Sequence, residues 1–448
     1  NVVVGDEAGT ALTTGDNNVA VGFAALDAED TGTDSVAVGY NALTAQNNDA
    51  ANYNTAVGSS AGASVSTGTR NTIVGGLAGD AITTGDQNTV FGALALSEET
   101  TGEYSVAVGY QALTVQNSTT GASMYNTAIG YKSGFSVTTG VENTLLGALA
   151  GDSLTDADYN TAVGYRALSA DTKGSRSVAV GRESLFNQNF TTATDTYNVA
   201  VGYSAGQQVT TGINNTLIGG EAGDALTDAD FNVAVGYLAL TTDTKGSLTT
   251  AIGRRALTSQ NFATATDTLN TAVGVNAGAS VTTGTSLTLI GAAAGDAFTD
   301  ADYNVAVGDF ALSADTLGSR STAMGHGALA AQNFTTATDS YNTAIGFSAG
   351  NAVTTGVQNT FIGANSGDAV TDADFNVAVG TYSLTDNTLG SFSVAVGWGA
   401  LFAQNPATAT NMYNTAVGHS AGGAVTTGIR NTFLGGLAGD ALTDADDN

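Results

Sequence analysis

The chain has 448 residues, 59 of them Gly and one Pro, and only 11% are charged, well below the usual quarter or so of a globular enzyme. Forty acidic against eleven basic side chains give a net charge of −29, a surface that repels nucleic acid and anionic membranes. Cys is absent, which excludes disulfides and thiolate metal sites, and no apolar run approaches the ~20 residues of a membrane helix.

The chain opens inside a pentapeptide, Asn1-Val2-Val3-Val4-Gly5, of the form Asn/Ser-Thr/Val-apolar-apolar-Gly, and this unit returns to the end. Its glycine occupies twenty-five positions from Gly5 to Gly435. From Gly58 onward the intervals run 17, 17, 17 and 21, so four copies make a 72-residue super-repeat, whereas the early interval from Gly39 to Gly58 is 19. Super-repeats begin near positions 54, 126, 198, 270, 342 and 414, marked by Gly58, Gly130, Gly202, Gly274, Gly346 and Gly418. Residues 1–448 therefore read as one continuous array, and because the last residues follow Thr443-Asp444-Ala445-Asp446 where another copy would start, a fragment of a longer fibre is expected.

The four copies of a super-repeat differ. The first carries Ala205-Gly206 and ends in Val209-Thr210-Thr211-Gly212; the second carries Ala222-Gly223-Asp224 and closes on Thr227-Asp228-Ala229-Asp230-Phe231. The third carries Ala239-Leu240 and a turn at Asp243-Thr244-Lys245-Gly246, and the fourth Ala256-Leu257 and a longer segment that supplies four extra residues.

β-Branched residues at alternate positions, punctuated by Gly and Thr-Gly, specify short strands rather than helices. Strands this short bury nothing alone, so the coils must stack, each strand pairing with the copies before and after it. The fold class expected is all-β, a parallel β-solenoid or β-roll of about 25 coils. The opening Asn residues should form a hydrogen-bonding column, and the repeat Gly should sit at positive φ or in a close backbone approach. The residue before Gly and the one two earlier share one strand face. The middle residue, mostly Ala with Ile73, Leu145, Leu217, Leu289, Phe361 and Phe433 once per super-repeat, points to the other, which is expected to be the outer one. An apolar outer face implies parallel chains around a common axis; the competing reading is that Ala is small enough to tolerate water.

In the register Ser35-Val36-Ala37-Val38-Gly39-Tyr40-Asn41-Ala42-Leu43, echoed by Ser105-Val106-Ala107-Val108-Gly109-Tyr110-Gln111-Ala112-Leu113, the chain resembles the head repeats of trimeric autotransporter adhesins of the YadA type. The resemblance covers essentially the whole chain, although each coil is longer than the family's usual one. It implies a left-handed parallel β-roll, three intertwined chains and a rigid surface rod that binds host or matrix surfaces; similar repeats occur in phage tail fibres.

No catalytic set can be assembled: His326 and His419 read as exposed turn residues, and Gly75-Gly76-Leu77-Ala78-Gly79 lacks the Lys of a phosphate loop. The chemical candidates are the Asp pairs Asp156 and Asp158, Asp228 and Asp230, Asp300 and Asp302, and Asp372 and Asp374, whose alternate spacing suits calcium, although Asp in turns also caps backbone amides. Tyr125, Tyr159, Tyr197, Phe231, Tyr303, Tyr341, Phe375 and Tyr413, each preceding an opening Asn, are expected to cover the core ends, with sugar stacking as the alternative. The long segments, such as residues 188–197 and 332–341, are expected to project and to carry any binding function.

These readings converge on a non-enzymatic shaft or head of an extracellular, cell-surface or virion fibre. It would self-associate as a homotrimer, need no cofactor unless calcium binds, and contact a host, matrix or cell-surface glycan or protein. Nucleic acid is not an expected partner, and a membrane would be reached only through segments outside this window. A phage tail-fibre shaft and a ligand-binding or ice-binding solenoid are the alternatives.

Overall fold

A three-residue strand is not stable by itself, and the chain forms twenty-five of them, one per pentapeptide, from Val2–Val4 to Thr432–Leu434. The computed structural model describes residues 1–448, contains no helix, and divides into two compact units, Asn1–Asp228 and Ala229–Asn448. Within each unit successive strands pair in parallel without slippage. Val178, Ala179 and Val180 face Val199, Ala200 and Val201 in the first unit, and Thr343, Ala344 and Ile345 face Thr360, Phe361 and Ile362 in the second. Pairing of each strand with the strand of the next repeat defines a parallel β-solenoid, one turn per pentapeptide.

The ladder continues around the corners, which is how such short strands suffice. Gly58 N donates to Val38 O (2.8 Å) and Ser60 N to Tyr40 O (2.7 Å) on the preceding turn, while Gly62 N donates to Ala78 O (3.0 Å) and Ser66 N to Thr83 O (2.9 Å) on the following one. Most corner amides are thereby satisfied by a neighbouring turn rather than by water. The repeat glycine and the Asn column behave as the sequence leads one to expect. Gly202 has φ +142°, and a Cβ there would lie 2.4 Å from the carbonyl oxygen of Gly219. Asn198 Oδ1 accepts from Asn215 N (2.9 Å), and its Nδ2 donates to Gly212 O (2.7 Å).

The interior lies on the opposite strand face from the one expected. The middle residue is fully buried in nearly every strand, whereas the flanking Val, Thr and Ile residues are half-buried or exposed. Ala belongs inside because a corner residue fills the space beside it. In the turns of Gly164 and Gly181 the residue four after the repeat Gly is Leu168 or Leu185, fully buried, and the strand centres are Ala162 and Ala179. In the turns of Gly130 and Gly147 that corner is Gly134 or Gly151, and Leu145 supplies the missing volume for both. A Cβ on Gly134 would lie 2.7 Å from Leu145 Cδ1, and one on Gly151 2.8 Å from Leu145 Cδ2. Phe361 does the same between Gly350 and Gly367. The corner Leu residues sit at positive φ (Leu168 +53°, Leu185 +48°), a conformation costing ~1–2 kcal/mol. Burial of the side chain, worth ~1.5–3 kcal/mol, offsets that strain.

A second core position follows the same two-and-two rule. Seven residues after the repeat Gly, the Gly-cornered turns carry buried Val137 and Leu154, and the Leu-cornered turns carry buried Asp171 and Gln188. Gln188 Nε2 donates to Asp171 Oδ2 (2.6 Å) and Ser177 Oγ (2.8 Å), and its Oε1 accepts from Asn198 Nδ2 (2.8 Å). Asp171 Oδ1 accepts from Gly174 N (3.0 Å) and Phe190 N (3.1 Å). This network holds down the long segment, which therefore does not project as expected. Phe190 is buried, Thr194–Asp195 pairs in parallel with Gly174–Ser175, and the exposed part is chiefly the tip at 191–193. Asp243 with Gln260 and Asp315 with Gln332 repeat the arrangement, and Asn387 takes the acid's place beside Gln404.

Candidate interaction surface

Because the small residues fill the lumen, the β-branched row of each strand faces outward. Ile129 and Ile290 are each 40% exposed and Met324 41%, and no residue of a three-residue strand is charged in either unit. Beside this row stands the residue after each repeat Gly, where rings stack on their neighbours: Phe23 on Tyr40 (5.4 Å between centroids), Tyr110 on Tyr131 (5.8 Å), and His326 on Phe347 (5.4 Å). His326 and His419 are exposed in this column, as expected for turn residues. The result is an uncharged strand row along the sheet of each unit, edged by rings at some turns and by Arg182, Arg254 or Asp309 at others.

The aromatic residues before the opening Asn do not cover the core; Tyr197 is 53% exposed, and its companions are comparable. They stand at positive φ, Tyr159 at +60° and Tyr197 at +51°, with their rings exposed. There they sandwich each other or an Arg. The Arg176 guanidinium lies 4.7 Å from the Tyr159 ring centroid and 5.9 Å from that of Tyr197, and pairs with Asp195 at 3.0 Å. Arg320 repeats this with Tyr303, Tyr341 and Asp339, while Phe375, Phe392 and Tyr413 form an all-ring column. The stacked columns present ring edges rather than open faces, which leaves little for a sugar ring to lie against.

In most of the Asp pairs a carboxylate clips one turn to the next. Asp158 Oδ1 accepts from Val141 N (2.8 Å), Asp302 Oδ1 from Thr285 N (2.7 Å), and Asp374 Oδ1 from Val357 N (2.8 Å). Their partners reach side chains: Asp156 approaches Lys173 (3.9 Å), Asp228 accepts from Thr227 Oγ1 (3.0 Å), Asp300 from Thr283 Oγ1 (2.6 Å), and Asp372 from Thr355 Oγ1 (2.5 Å). Asp230 receives its own clip, its amide donating to Ser247 Oγ at 3.0 Å. No three carboxylates or imidazoles converge on one point in either unit.

A further acidic column, the Asp that closes segments such as Ala222-Gly223-Asp224, lies five residues after the repeat Gly in the second turn type. Burial raises the carboxyl pKa of Asp80, Asp152, Asp296 and Asp368. At Asp152 a hydrogen bond from Ser169 Oγ (2.5 Å) and the charges of Arg166 and Lys132 oppose the rise. Both cations rest on rings: Lys132 Nζ is 5.0 Å from the Phe135 centroid, and the Arg166 guanidinium 5.0 Å from that of Phe186.

Fold and surface together define the class: a β-solenoid repeat protein with an uncharged outward strand row. No protein-family model matches the chain, and no curated protein matches it.

Proposed function

We propose that the chain is a non-catalytic structural segment of an extracellular fibre, assembled as a homotrimer through the outward strand row and presenting repeated weak contacts to a surface. The observation that carries this reading is the uncharged, half-exposed row of Val, Ile and Thr beside stacked rings, on a protein whose net charge is −29. Contiguous apolar strips mark association surfaces. Copies of the same chain, in parallel, offer a matching strip of the same period, and the acidic residues would then remain on the wet side. The resemblance of the Ser105 to Leu113 segment to YadA-type head repeats agrees with a trimeric rod; a phage tail-fibre shaft has the same requirements.

The test is solution mass. Light scattering should return three chains of 44.3 kDa, and the triple substitution Ile290→Glu, Ile345→Glu and Ile362→Glu, all outward-facing, should yield a folded single chain. A well-folded 44.3 kDa monomer of the unmodified protein would refute the proposal. A second reading, ice or ligand binding, rests on Thr55, Thr72 and Thr89, stacked in register on the same outward row. Val36 and Val106 interrupt the array, and a thermal-hysteresis measurement decides it.

A further inference from the structure

The long segments that close the super-repeats share one plan, and one of them lacks a part. Phe190, Phe262 and Phe334, 72 residues apart, are buried, each two residues after the Gln of the interior network. The residue 72 before Phe190 is Ser118, and the one 72 after Phe334 is Pro406. Where the phenyl ring is missing, the Thr196, Thr268 or Ser340 that stands six residues further on gives way to a buried methionine, Met124 or Met412. Met412 shares its segment with the ring of Pro406, but Met124 has only Ser118. The backbone does not close over the loss. Glu99, standing where Asp171 does, accepts from Gly102 N (2.7 Å), Ser118 N (3.0 Å) and Gln116 Nε2 (2.9 Å), and Gln116 Oε1 accepts from Asn126 Nδ2 (2.9 Å), the same set of bonds that holds the Phe190 segment. Pairing with the preceding turn is reduced to a single bridge, Glu103 with Ser123.

A cavity of about 200 Å³ opens here, lined by Ser118, Ala122 and Met124 of the segment and by Thr139 of the next turn, with Thr119 and Thr120 exposed at its mouth. A void of ~150 Å³ is enough for benzene, and a thioether makes favourable contacts with an aromatic ring. The surrounding hydroxyls admit a polar substituent on that ring. The chain itself indicates the occupant, since it supplies a phenyl group at this position in three other segments. We propose that the cavity binds one six-membered aromatic ring against Met124, carried on a free small molecule or on an exposed peptide side chain. Every residue of the site comes from one chain, so binding does not depend on the trimer.

The chain has three methionines, Met124, Met324 and Met412, so methyl NMR of the full, methionine-labelled protein reads the site against two internal controls. Titration with p-cresol should shift the Met124 methyl resonance saturably and leave Met324, on the outward row, and Met412 in place. A matching shift with N-acetyl-tyrosinamide assigns the ring to a peptide side chain, and its absence beside a p-cresol response assigns it to a free phenol. The non-aromatic 4-methylcyclohexanol should compete roughly tenfold more weakly than p-cresol binds. Ser118→Phe with Met124→Thr, which restores the Phe190 and Thr196 combination, should abolish saturation transfer to p-cresol while leaving the circular dichroism unchanged. A Met124 shift that does not saturate, an equal shift at Met412, equal competition by the cyclic alcohol, or undiminished saturation transfer in the folded double variant would each overturn the assignment.

Discussion

Replacing Leu145 by Ala removes the one large side chain that fills two glycine corners at once. Its Cδ atoms lie 2.7 Å and 2.8 Å from where Cβ atoms on Gly134 and Gly151 would be, so no corner side chain can relax into the void. Truncation of a buried Leu in such a setting costs ~2.7–5 kcal/mol. A solenoid opens locally, so the readout is native-state hydrogen exchange at Thr144, Thr161 and their neighbours, which should accelerate roughly 10²- to 10³-fold or more. Gly134→Ala alone should also destabilise, by ~1–3 kcal/mol of overpacking against Leu145 and Leu113 together with ~1–2 kcal/mol for Ala at φ +59°. Combined with Leu145→Ala, the clash with Leu145 disappears and only the smaller contact with Leu113 and the φ strain remain. The pair should therefore couple favourably by about 1–3 kcal/mol. If the two effects simply add to within ~0.5 kcal/mol, the complementarity between strand centre and corner is wrong.

Gly202→Ala should be more disruptive than any corner change, because the new Cβ meets the backbone carbonyl of Gly219 at 2.4 Å and φ is +142°; a loss above ~3 kcal/mol is expected, and exchange protection of Val199 and Thr216 that stays intact would contradict it. Asn198→Ala leaves the Asn215 amide, the Gly212 carbonyl and the Gln188 side chain without a buried partner, at ~1–3 kcal/mol each, whereas a surface change such as Thr192→Ala should be silent in the same denaturation assay. Burial raises the carboxyl pKa of Asp315, outweighing its bonds from Gln332, Phe334 and Gly318. A raised folded-state pKa means the native state holds the proton more tightly, so this stabilisation is full below the ordinary carboxylate pKa and is lost as pH rises through the elevated one. Asp315→Asn, an exchange the chain itself carries at the equivalent Asn387, should flatten the fall in stability across that window; identical pH slopes for the two proteins would exclude a role for this group.

The period, the parallel strands, the Asn column and the repeat Gly were legible because each is a single-residue requirement imposed once per turn. The side of the strand facing inward was not, because Val-Ala-Val is apolar on both faces and offers no polar alternation to orient it. What orients it is a relation between positions eleven or six residues apart. Leu145, Leu217, Leu289, Phe361 and Phe433 occur only beside turns with Gly corners, and Ala162 and Ala179 occur with Leu168 and Leu185. The same pairing rule would have exposed Asp171 and Gln188 as interior residues, since they stand where Val137 and Leu154 do in the other turns. The aromatics at Tyr159 and Tyr197 misled for a different reason: nothing about Tyr itself announces that these rings stand exposed on either side of Arg176 rather than against the core.

The sharing of one bulky side chain between two glycine corners constrains how such a gene lengthens or shortens. Duplication or loss of one whole super-repeat, as from 130 to 201, leaves every Gly134-like corner next to a Leu145-like neighbour. A slip by a single turn would place Leu corner against Leu centre at one junction, or leave both absent at another. Length variation among natural versions of this protein should therefore come in whole blocks of four.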